Sequence, residues 1–426
     1  MKKILIISPH FPPSNLAGVH RSRLLAQHLP EFGWNPIILT VDEKYYEEAL
    51  DPNLSKLVSP YLKIEKVKAF KITKPRFIGD IGLRAFIQLY KKAKNIIKDD
   101  NIDFLYIPVP SFYVALLGRM LSVRTNIKYG IDYIDPWVHK FPGSNITFSR
   151  HWWSTKIASV LEGFAVKKAS LISGVAAGYY EGVKSRNPKL LKTAIFAAMP
   201  YGGEILDHKG IENLNIKTYL LKENNNKIRL IYAGAMLPKA YLPLEMVFGS
   251  IKKNIELFEN VEFYFIGTGK TANDPEGYNV KPLAEKYGLW NKIVYEYPKR
   301  VPYLDVLVHL NAADAIFILG STEPHYTPSK VYQAVLAKKP IYAILHQDSS
   351  AVEVLLKSKA GIVLSFNGER DIERIRDEFS IKFKEFNEFI QSFDSSLVVM
   401  NEFEQYSARA ITAKLAEILN SIFDSK

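Results

Sequence analysis

Short apolar segments alternate with amphipathic stretches along the first half of the chain. Residues 3–8 (KILIIS) are a continuous apolar run closed by Pro9, which predicts a buried strand. Residues 16–29 have the apolar spacing of a helix that ends near Pro30. Later segments of the same two kinds predict strands at 36–39, 104–107, 127–131, 171–173 and 194–198, and helices at 81–98, 113–121 and 154–168. Strands separated by helices predict parallel βαβ units in a doubly wound sheet.

The alternation restarts in the second half of the chain. Residues 227–233 (KIRLIYA) resemble the first strand, and later segments predict strands at 262–266, 292–295, 315–319, 341–344 and 361–364. We therefore predict an α/β protein with two doubly wound parallel-sheet (Rossmann-like) domains that face a cleft. The predicted parts are a first domain at 1–205, a linker at 206–226, a second domain at 227–400, and a final helical segment at 401–426 that packs back on the first domain.

Composition narrows the class of protein. The chain is 47% hydrophobic and contains no cysteine, so it can bury large cores but cannot form disulfides or thiolate metal sites. The apolar segment after Lys2 and Lys3 is too short for a secretory signal, and no run reaches the roughly 18 apolar residues of a membrane span. We therefore expect a cytoplasmic protein.

The net charge of +12 is concentrated in the first half. Residues 1–205 contain 29 basic and 16 acidic side chains, whereas residues 206–426 contain 27 and 28. Either this basic half is an ordinary solvated surface, or it contacts an anionic membrane or a phosphate-bearing acceptor. The aromatic and basic run at 148–156 (FSRHWWSTK) favours a membrane. No nucleic-acid partner is predicted, because the sequence has neither zinc-finger spacing nor an aromatic RNA-binding signature.

The loop after the first predicted strand contains Gly18, followed by His20 and Arg21. Gly18 removes side-chain bulk at a helix start, where free backbone N–H groups can bind phosphate or sugar hydroxyls. Alternatively, this glycine only relieves crowding. We take all three as candidate substrate-binding residues. The fingerprint G-x-G-x-x-G is absent from the loop, which argues against a nicotinamide oxidoreductase.

Two carboxylates follow a later strand of the first half. Asp132 and Asp135 could orient acceptor hydroxyls, and one of them could accept a proton, so both are candidate catalytic residues. The alternative is a helix cap or a turn, because Asp before Pro is a common turn signal. Trp137 could stack on a sugar, as a candidate substrate-binding residue, or simply pack in the core.

Glycine loops follow two strands of the second half. Lys239 lies beyond the turn at Gly234, at a helix start, where its amine can neutralise a diphosphate. A solvated surface lysine is the alternative. Gly267 and Gly269 end the next strand at the same predicted sheet edge. We predict that Lys239 is catalytic and that the three glycines bind substrate.

The segment 319–333 (LGSTEPHYTPSKVYQ) leaves a buried strand and opens a helix. Thr327 or Ser329 is predicted to cap this helix, and Pro328 suits its first turn. The helix dipole and open amides then favour an anion beside Lys330. An ordinary capped helix is the alternative. The candidate substrate-binding residues of this segment are Glu323, His325, Thr327, Ser329, Lys330 and Gln333.

Six segments, in this order, resemble the retaining glycosyltransferases of family 4 and their close relatives, which share the GT-B fold. They are ILIISPHFPPSNLAGVHR at 4–21, IDYIDPW at 131–137, AMPYGG at 198–203, IYAGAMLPKAYLPL at 231–244, VPYLDVLVHLNAADAIFIL at 301–319 and TPSKVYQAVLAKKPIYAI at 327–344. The resemblance implies GT-B architecture and transfer of a sugar from a nucleotide diphosphate sugar with retention of anomeric configuration.

The resemblance also implies roles for domains and residues. The first domain would be the acceptor side, where Gly18 approaches the diphosphate or the acceptor. The second would bind the nucleotide sugar, with Lys239 on the phosphates and Ser329 and Lys330 lining the donor site. Members of this group usually need no bound metal or other cofactor. The implied partners are a donor with UDP or GDP and a glycan or lipid-linked acceptor, and the expected location is the cytoplasm at the inner face of the membrane.

The sequence departs from the family's pattern at two places. An arginine common after the second-domain glycine is replaced by Ala235, and the second member of a Glu-x7-Glu pair is Gln333. The first member falls on His325 or, with a short insertion, on Glu323. A glutamine still donates and accepts hydrogen bonds, whereas losing an arginine near phosphate removes about 1.5–3 kcal/mol. Two other functions therefore stay open, namely a nucleotide-sugar-binding protein without transferase activity and a nucleotide-sugar epimerase.

Overall fold

The computed structural model describes residues 1–72, 79–138, 146–222, 226–269, 277–324 and 326–424. The chain divides into two compact units. The first unit contains Met1–Tyr201 together with Ala408–Lys426, and the second contains Gly202–Ser407. Each unit is built around its own parallel sheet.

Seven strands form the described sheet of the first unit and six form that of the second. The strands of the first unit are β1 Lys2–Ile7, β2 Trp34–Val41, β3 Lys63–Val67, β4 Phe104–Val109, β5 Lys128–Tyr133, β6 Leu171–Gly174 and β7 Ile195–Ala198. The strands of the second unit are β8 Ile228–Ala233, β9 Val261–Ile266, β10 Val294–Tyr297, β11 Ala315–Leu319, β12 Ile341–His346 and β13 Gly361–Phe366.

Both sheets have the same kind of strand order. It is β3-β2-β1-β4-β5-β6-β7 in the first unit and β10-β9-β8-β11-β12-β13 in the second. Every pairing between these strands is parallel. The order reverses between β1 and β4 and again between β8 and β11, which is the point where such sheets bind ligands. The predicted fold class, two doubly wound parallel-sheet domains, is confirmed.

Helices connect the strands and cover both faces of each sheet. They are α1 Ala17–His28, α2 Pro52–Ser55, α3 Ile81–Arg84, α4 Phe86–Asp99, α5 Ala115–Thr125, α6 Arg150–Val166, α7 Gly178–Arg186, α8 Ile205–Leu214, α9 Tyr241–Lys253, α10 Lys281–Lys286, α11 Tyr303–Ala312, α12 Lys330–Leu336, α13 Ser350–Ser358, α14 Glu373–Ser392, α15 Met400–Glu404 and α16 Ala408–Asp424. No helix among the described residues is long and apolar enough to cross a membrane.

The central strands are buried along their whole length, since helices pack on both of their faces. All six residues of β4 and of β9 are buried. In the first unit, α16 covers one face of the sheet with apolar residues at helical spacing, and these join a buried cluster with Ile4, Ile6 and Trp34. The buried apolar residues that α16 contributes are Ile411, Leu415, Ala416, Leu419 and Ile422.

Strand β3 was not expected from the sequence. Its five residues, KIEKV, pair with β2 at the edge of the sheet, and only Val67 is buried. Two lysines and a glutamate in five positions conceal the apolar alternation that marks a half-buried strand. Charged side chains on an edge strand also discourage pairing with other chains.

The helix predicted at 81–98 is interrupted at Ala85, where α3 ends and α4 begins. The carbonyl of Arg84 accepts a hydrogen bond from the backbone N–H of Phe70, and the buried guanidinium of Arg84 donates back to the Phe70 carbonyl at 3.0 Å. A tertiary contact of this kind leaves no mark in the apolar spacing of the helix.

The stretch predicted as a linker at 206–226 contains all of helix α8 except its first residue. Asp207 and His208 of this helix are buried, and Asp207 accepts a hydrogen bond of 2.7 Å from the hydroxyl of Tyr303 on α11. The sequence pattern missed α8 because polar residues occupy buried positions, where side-chain hydrogen bonds satisfy them.

Candidate functional site

Loops of the second unit leave the carboxyl ends of parallel strands on one edge of the sheet. Gly234 follows β8, Gly267 follows β9 and Gly320 follows β11. Backbone hydrogen bonds join these loops, for example from Gly234 N–H to the Ile266 carbonyl at 2.8 Å and from Thr322 N–H to the Lys239 carbonyl at 3.1 Å. The predicted binding segments of this half therefore lie together beside the reversal between β8 and β11.

The amine of Lys330 lies beneath this edge against β8. Its Nζ is 3.5 Å from the ring centroid of Tyr232. It is shielded from solvent and hydrogen-bonds to no described residue. Burial lowers the pKa of Lys330 to about 7. A buried amine without an acceptor is costly, so a bound anion here would satisfy it.

Gly234 makes room for this lysine. Its φ of +128° is a backbone conformation that favours glycine. A Cβ added there would come within 3.2 Å of the Lys330 Nζ. The residues at positions 234 and 330 therefore depend on each other, because the glycine allows the Lys330 amine to approach the end of the strand.

Lys239 is exposed at the rim of the same edge. Its Nζ lies 3.5 Å from Oε1 of Glu323, and both side chains are accessible to solvent. The structure thus brings the predicted residues Lys239 and Glu323 together, and the exposed Lys239 amine is accessible to a ligand. Ala235, at the position where the resemblance calls for arginine, is exposed as well.

A pocket of about 450 Å³ extends from this rim toward the ends of β12 and β13. The sequence analysis did not predict this pocket. Its lining residues other than Lys239 lie at or after the ends of strands, and that position was the signal that could have identified them. Its lining residues are Lys239, Thr322, Pro324, His346, Asp348, Asn367, Gly368, Glu369 and Arg370.

The loop at Gly267 and Gly269 is fixed by backbone contacts and by one buried carboxylate. Gly267 has a φ of +72°, and Gly269 N–H donates to the Pro298 carbonyl at 2.8 Å. Glu296 accepts hydrogen bonds from the backbone N–H groups of residues 279–281 and from the Thr268 hydroxyl. The glycines therefore shape the loop, and residues 270–276 lie outside the described chain.

The predicted cap of the helix after β11 is wrong. Helix α12 begins at Lys330, and Ser329 precedes it without a side-chain capping bond. The Thr327 hydroxyl is instead hydrogen-bonded to Ser350 on α13, at 2.8 Å between the two oxygens. His325 lies outside the described residues.

Gln333 is engaged with another side chain. Its Oε1 lies 3.0 Å from Nε2 of His208 on α8. Burial lowers the pKa of His208, so its imidazole is held neutral and donates to the glutamine. Gln333 is half-buried, so the contact fixes its orientation while leaving part of the amide accessible.

In the first unit, Asp132 and Arg21 form a buried ion pair. Arg21 donates to both carboxylate oxygens, at 2.7 Å from Nε and 3.1 Å from Nη2, and Ser173 donates to the same carboxylate at 2.7 Å. Burial acts to lower the pKa of Arg21, but the charge of Asp132 outweighs it and raises that pKa. Neither side chain reaches solvent. The structure therefore places both residues in a buried ion pair, and the roles of Asp132 in catalysis and of Arg21 in substrate binding stay predictions.

The other predicted residues of the first unit differ in exposure. Trp137 is buried and stacks on Phe112 at 5.8 Å between centroids, so it packs in the core and does not offer a face to a sugar. Asp135 is exposed and His20 is half-buried. A Cβ at Gly18 would meet Ile134 at an ordinary 3.6 Å, so the protein itself does not require a glycine there.

A histidine in the loop after β1, His10, and a glutamate in the loop after β2, Glu48, were missed by the sequence reasoning. Nδ1 of His10 lies 2.8 Å from Oε1 of Glu48, which also accepts from the Ser14 hydroxyl. Burial acts against ionisation, but these hydrogen bonds lower the pKa of Glu48 to about 2. The carboxylate thus orients a partly exposed imidazole at the carboxyl end of β1. The two residues are 38 positions apart, so only the fold brings them together.

No group of three or more His, Asp or Glu side chains in the described parts of the chain could hold a metal ion.

Solved structures that share this fold over the full length of the chain include glycosyltransferases of GT-B type. A glycosyltransferase from Rickettsia africae has a TM-score of 0.62 and 16% identity over 100% of this chain and 99% of its own. Sucrose-phosphate synthase from Thermosynechococcus elongatus has a TM-score of 0.67 and 12% identity over 100% of both chains. Anabaena HepE, in complex with UDP and glucose, has a TM-score of 0.62 and 15% identity over 99% of this chain and 100% of its own. These identities establish the GT-B fold alone.

A further structure with this two-domain fold is assigned as a UDP-N-acetylglucosamine 2-epimerase, from Listeria monocytogenes. Its TM-score is 0.51 and its identity 10%, over 100% of this chain and 97% of its own. No protein-family model matches the sequence, and no curated protein does.

Replacing Asp132 with Asn should destabilise the first unit by about 3–5 kcal/mol, because the Arg21 guanidinium would stay buried without its counter-charge. Replacing the exposed Asp135 with Asn is the matched control and should leave stability unchanged. Denaturant unfolding measures both. Equal midpoints for Asp132→Asn and wild type would contradict a structural role for this pair.

Proposed function

We propose that this protein transfers a sugar from a nucleotide diphosphate sugar to a glycan or lipid-linked acceptor, as a glycosyltransferase of family 4 type. The observation that carries the proposal is the buried Lys330 amine, which has no acceptor among the described residues at the sheet edge between β8 and β11. A diphosphate is the anion that a nucleotide sugar would bring to this edge.

The proposed donor site is the carboxyl edge of the second sheet. Lys330 binds the diphosphate from beneath, with Gly234 allowing the phosphate to approach the backbone. Lys239 leaves Glu323 and neutralises charge on the departing phosphate from the rim. Ser329 and Gln333 line the same site. No metal or cofactor is part of this proposal, since two lysines supply the positive charge.

The glycosyltransferase fold supports this choice of ligand. HepE shares the fold over the whole chain and binds UDP and glucose. A nucleoside diphosphate also matches the chemistry of the edge, where two amines lie close together and can neutralise its phosphates.

The proposed acceptor site is the carboxyl edge of the first sheet. Gly18, His20 and Asp135 offer open backbone, an imidazole and an exposed carboxylate to sugar hydroxyls. The first half of the chain carries the basic excess, which supports an acceptor presented at an anionic surface, the inner face of a membrane.

An epimerase is the second candidate, favoured by the full-length likeness to a structure assigned as a UDP-N-acetylglucosamine 2-epimerase. Both functions bind the same class of donor. They differ in whether a second sugar is needed, so incubation of the donor without acceptor separates them.

Replacing Lys239 with Ala should reduce sugar transfer about 10- to 100-fold, because one charge-assisted hydrogen bond to phosphate is lost. Thermal-shift measurements with UDP, GDP, ADP, CMP and their sugars first identify the donor, and transfer is then assayed over a panel of acceptors. Lys253→Ala, at an exposed lysine of the same unit, is the control. Wild-type transfer by Lys239→Ala would mean that the donor site is misplaced. Isomerisation of the donor in the absence of an acceptor would identify the protein as an epimerase. Donor binding without turnover would identify it as a binding protein.

Donor affinity should fall as the pH rises above about 7, since burial sets the pKa of the free Lys330 amine near that value. Only the protonated amine attracts the diphosphate, so binding above that pH takes up a proton and weakens by up to about tenfold per pH unit. Calorimetry between pH 7.5 and about 9.5 measures this. In Lys330→Arg, whose charge does not titrate in this range, the decline should vanish. Equal pH profiles for both proteins would contradict the assignment.

The sugar should be transferred with retention of its anomeric configuration, as the family resemblance implies. NMR spectroscopy of the product's anomeric proton measures the outcome. Inversion would instead require a general base on the acceptor side, and the His10 imidazole oriented by Glu48 is the group placed for that role.

A further inference from the structure

Helix α6 presents an apolar stripe to solvent. The stripe residues on the helix follow one another at intervals of four, three and four positions, so they fall within an arc of about 60° and extend over roughly 16 Å of helix. Two further apolar side chains lie immediately before the helix. All six are between 46% and 73% exposed, and they are Ile146, Phe148, Trp153, Ile157, Val160 and Phe164.

The opposite face of α6 is firmly anchored. Glu162, Ala165 and Val166 are buried against the first unit. Glu162 also pairs with Arg186 on α7, with oxygen-to-nitrogen distances of 2.8 and 3.0 Å. The helix therefore has one face committed to the core, and the apolar stripe is its outward face.

The exposed charges that α6 and the two residues after it carry are all positive. Arg150 and Lys156 flank it on either side at helical spacing, and the exposed Lys167 and Lys168 follow the end of the helix. Glu162 is the single acidic residue between positions 150 and 168, and it is buried and paired. A surface that is apolar in the centre and positive at its rim complements a layer of lipid acyl chains below anionic headgroups.

Aromatic side chains are concentrated where the stripe begins. Trp152 and Trp153 are in edge-to-face contact at 4.8 Å between centroids, and Phe148 lies 5.5 Å from Trp152. The Lys156 amine is 5.6 Å from the Trp152 ring. Tryptophan with neighbouring basic side chains is characteristic of the headgroup level of a membrane, because the ring has both an apolar body and a polar N–H.

We propose that the stripe on α6 is a membrane-docking surface that lies in the plane of an anionic bilayer. The apolar residues enter the boundary between headgroups and acyl chains, while Arg150, Lys156, Lys167 and Lys168 contact lipid phosphates. The inference deepens the proposed function and rests on it for the choice of a membrane as partner, since a lipid-linked acceptor must be reached at such a surface. The direct evidence for the docking surface is the exposure, spacing and charge of the residues on α6.

Sedimentation with vesicles tests this surface in the full-length protein. Wild type should bind vesicles of equal parts phosphatidylglycerol and phosphatidylcholine, and bind pure phosphatidylcholine less. The double variant Trp153→Gln, Val160→Gln should bind the anionic vesicles about tenfold more weakly, since two of the four helical stripe residues are removed. Arg150→Gln with Lys156→Gln should lose much of the preference for anionic lipid.

The matched control replaces equally exposed apolar residues on helices of the second unit, Leu356→Gln with Ile381→Gln. It should bind vesicles as wild type does. Thermal unfolding of every variant shows that it is folded. No vesicle binding by wild type, or wild-type binding by the stripe variant, overturns the proposal. So does a wild-type dimer that becomes monomeric in the stripe variant, because the stripe would then cover a second copy.

Failure of the docking surface and failure of the proposed function give different results. Nucleotide-induced thermal shifts are measured on the same proteins without vesicles. Vesicle binding without any nucleotide shift leaves the docking surface standing and contradicts the donor site. A normal nucleotide-induced shift without vesicle binding leaves the donor site standing and contradicts the docking surface.

Discussion

The parallel direction of every strand pairing is the constraint on which the rest of this structure depends. Parallel strands need a crossover after each strand, so their carboxyl ends and the following loops collect on one edge of the sheet. Where the order reverses, between β8 and β11 in the second unit, neighbouring crossovers leave in opposite directions and open a crevice. Gly234 and Lys239 meet the segment after β11 there because of topology, although that segment lies about 80 to 100 residues further along the chain.

Much of the fold could be predicted from the sequence, because buried strands of a doubly wound sheet are continuous apolar runs. The predicted class, two such sheets, agrees with the structure. Features that depend on contacts distant in sequence could not be predicted. Strand β3 is marked by pairing with β2 more than by its own residues, and the break at Ala85 depends on Phe70. Helix α8 needs partners on α11 and α12 to satisfy its buried polar groups.

The grouping of the candidate loops was predictable, and the state of their side chains was less so. Glycines and polar residues at strand ends identified loops that lie together at one edge of the second sheet, because strand ends are visible in the sequence. The state of each side chain was not visible. The Asp132 carboxylate and the Lys330 amine are both buried, yet Arg21 and Ser173 donate to the first and no described residue hydrogen-bonds to the second. Burial and pairing are set by the whole unit, so the residues near each group in sequence do not reveal whether the group is satisfied.

Helix α16 affects the order in which the molecule can be made. Its apolar residues complete the cluster around Ile4, Ile6 and Trp34, yet more than two hundred residues of the second unit are synthesised between the two. During translation, the second unit is contiguous and can close its core first, while one face of the first sheet stays partly uncovered until α16 emerges. A chaperone that shields this face, or rapid folding of the second unit, would protect the nascent chain over that interval.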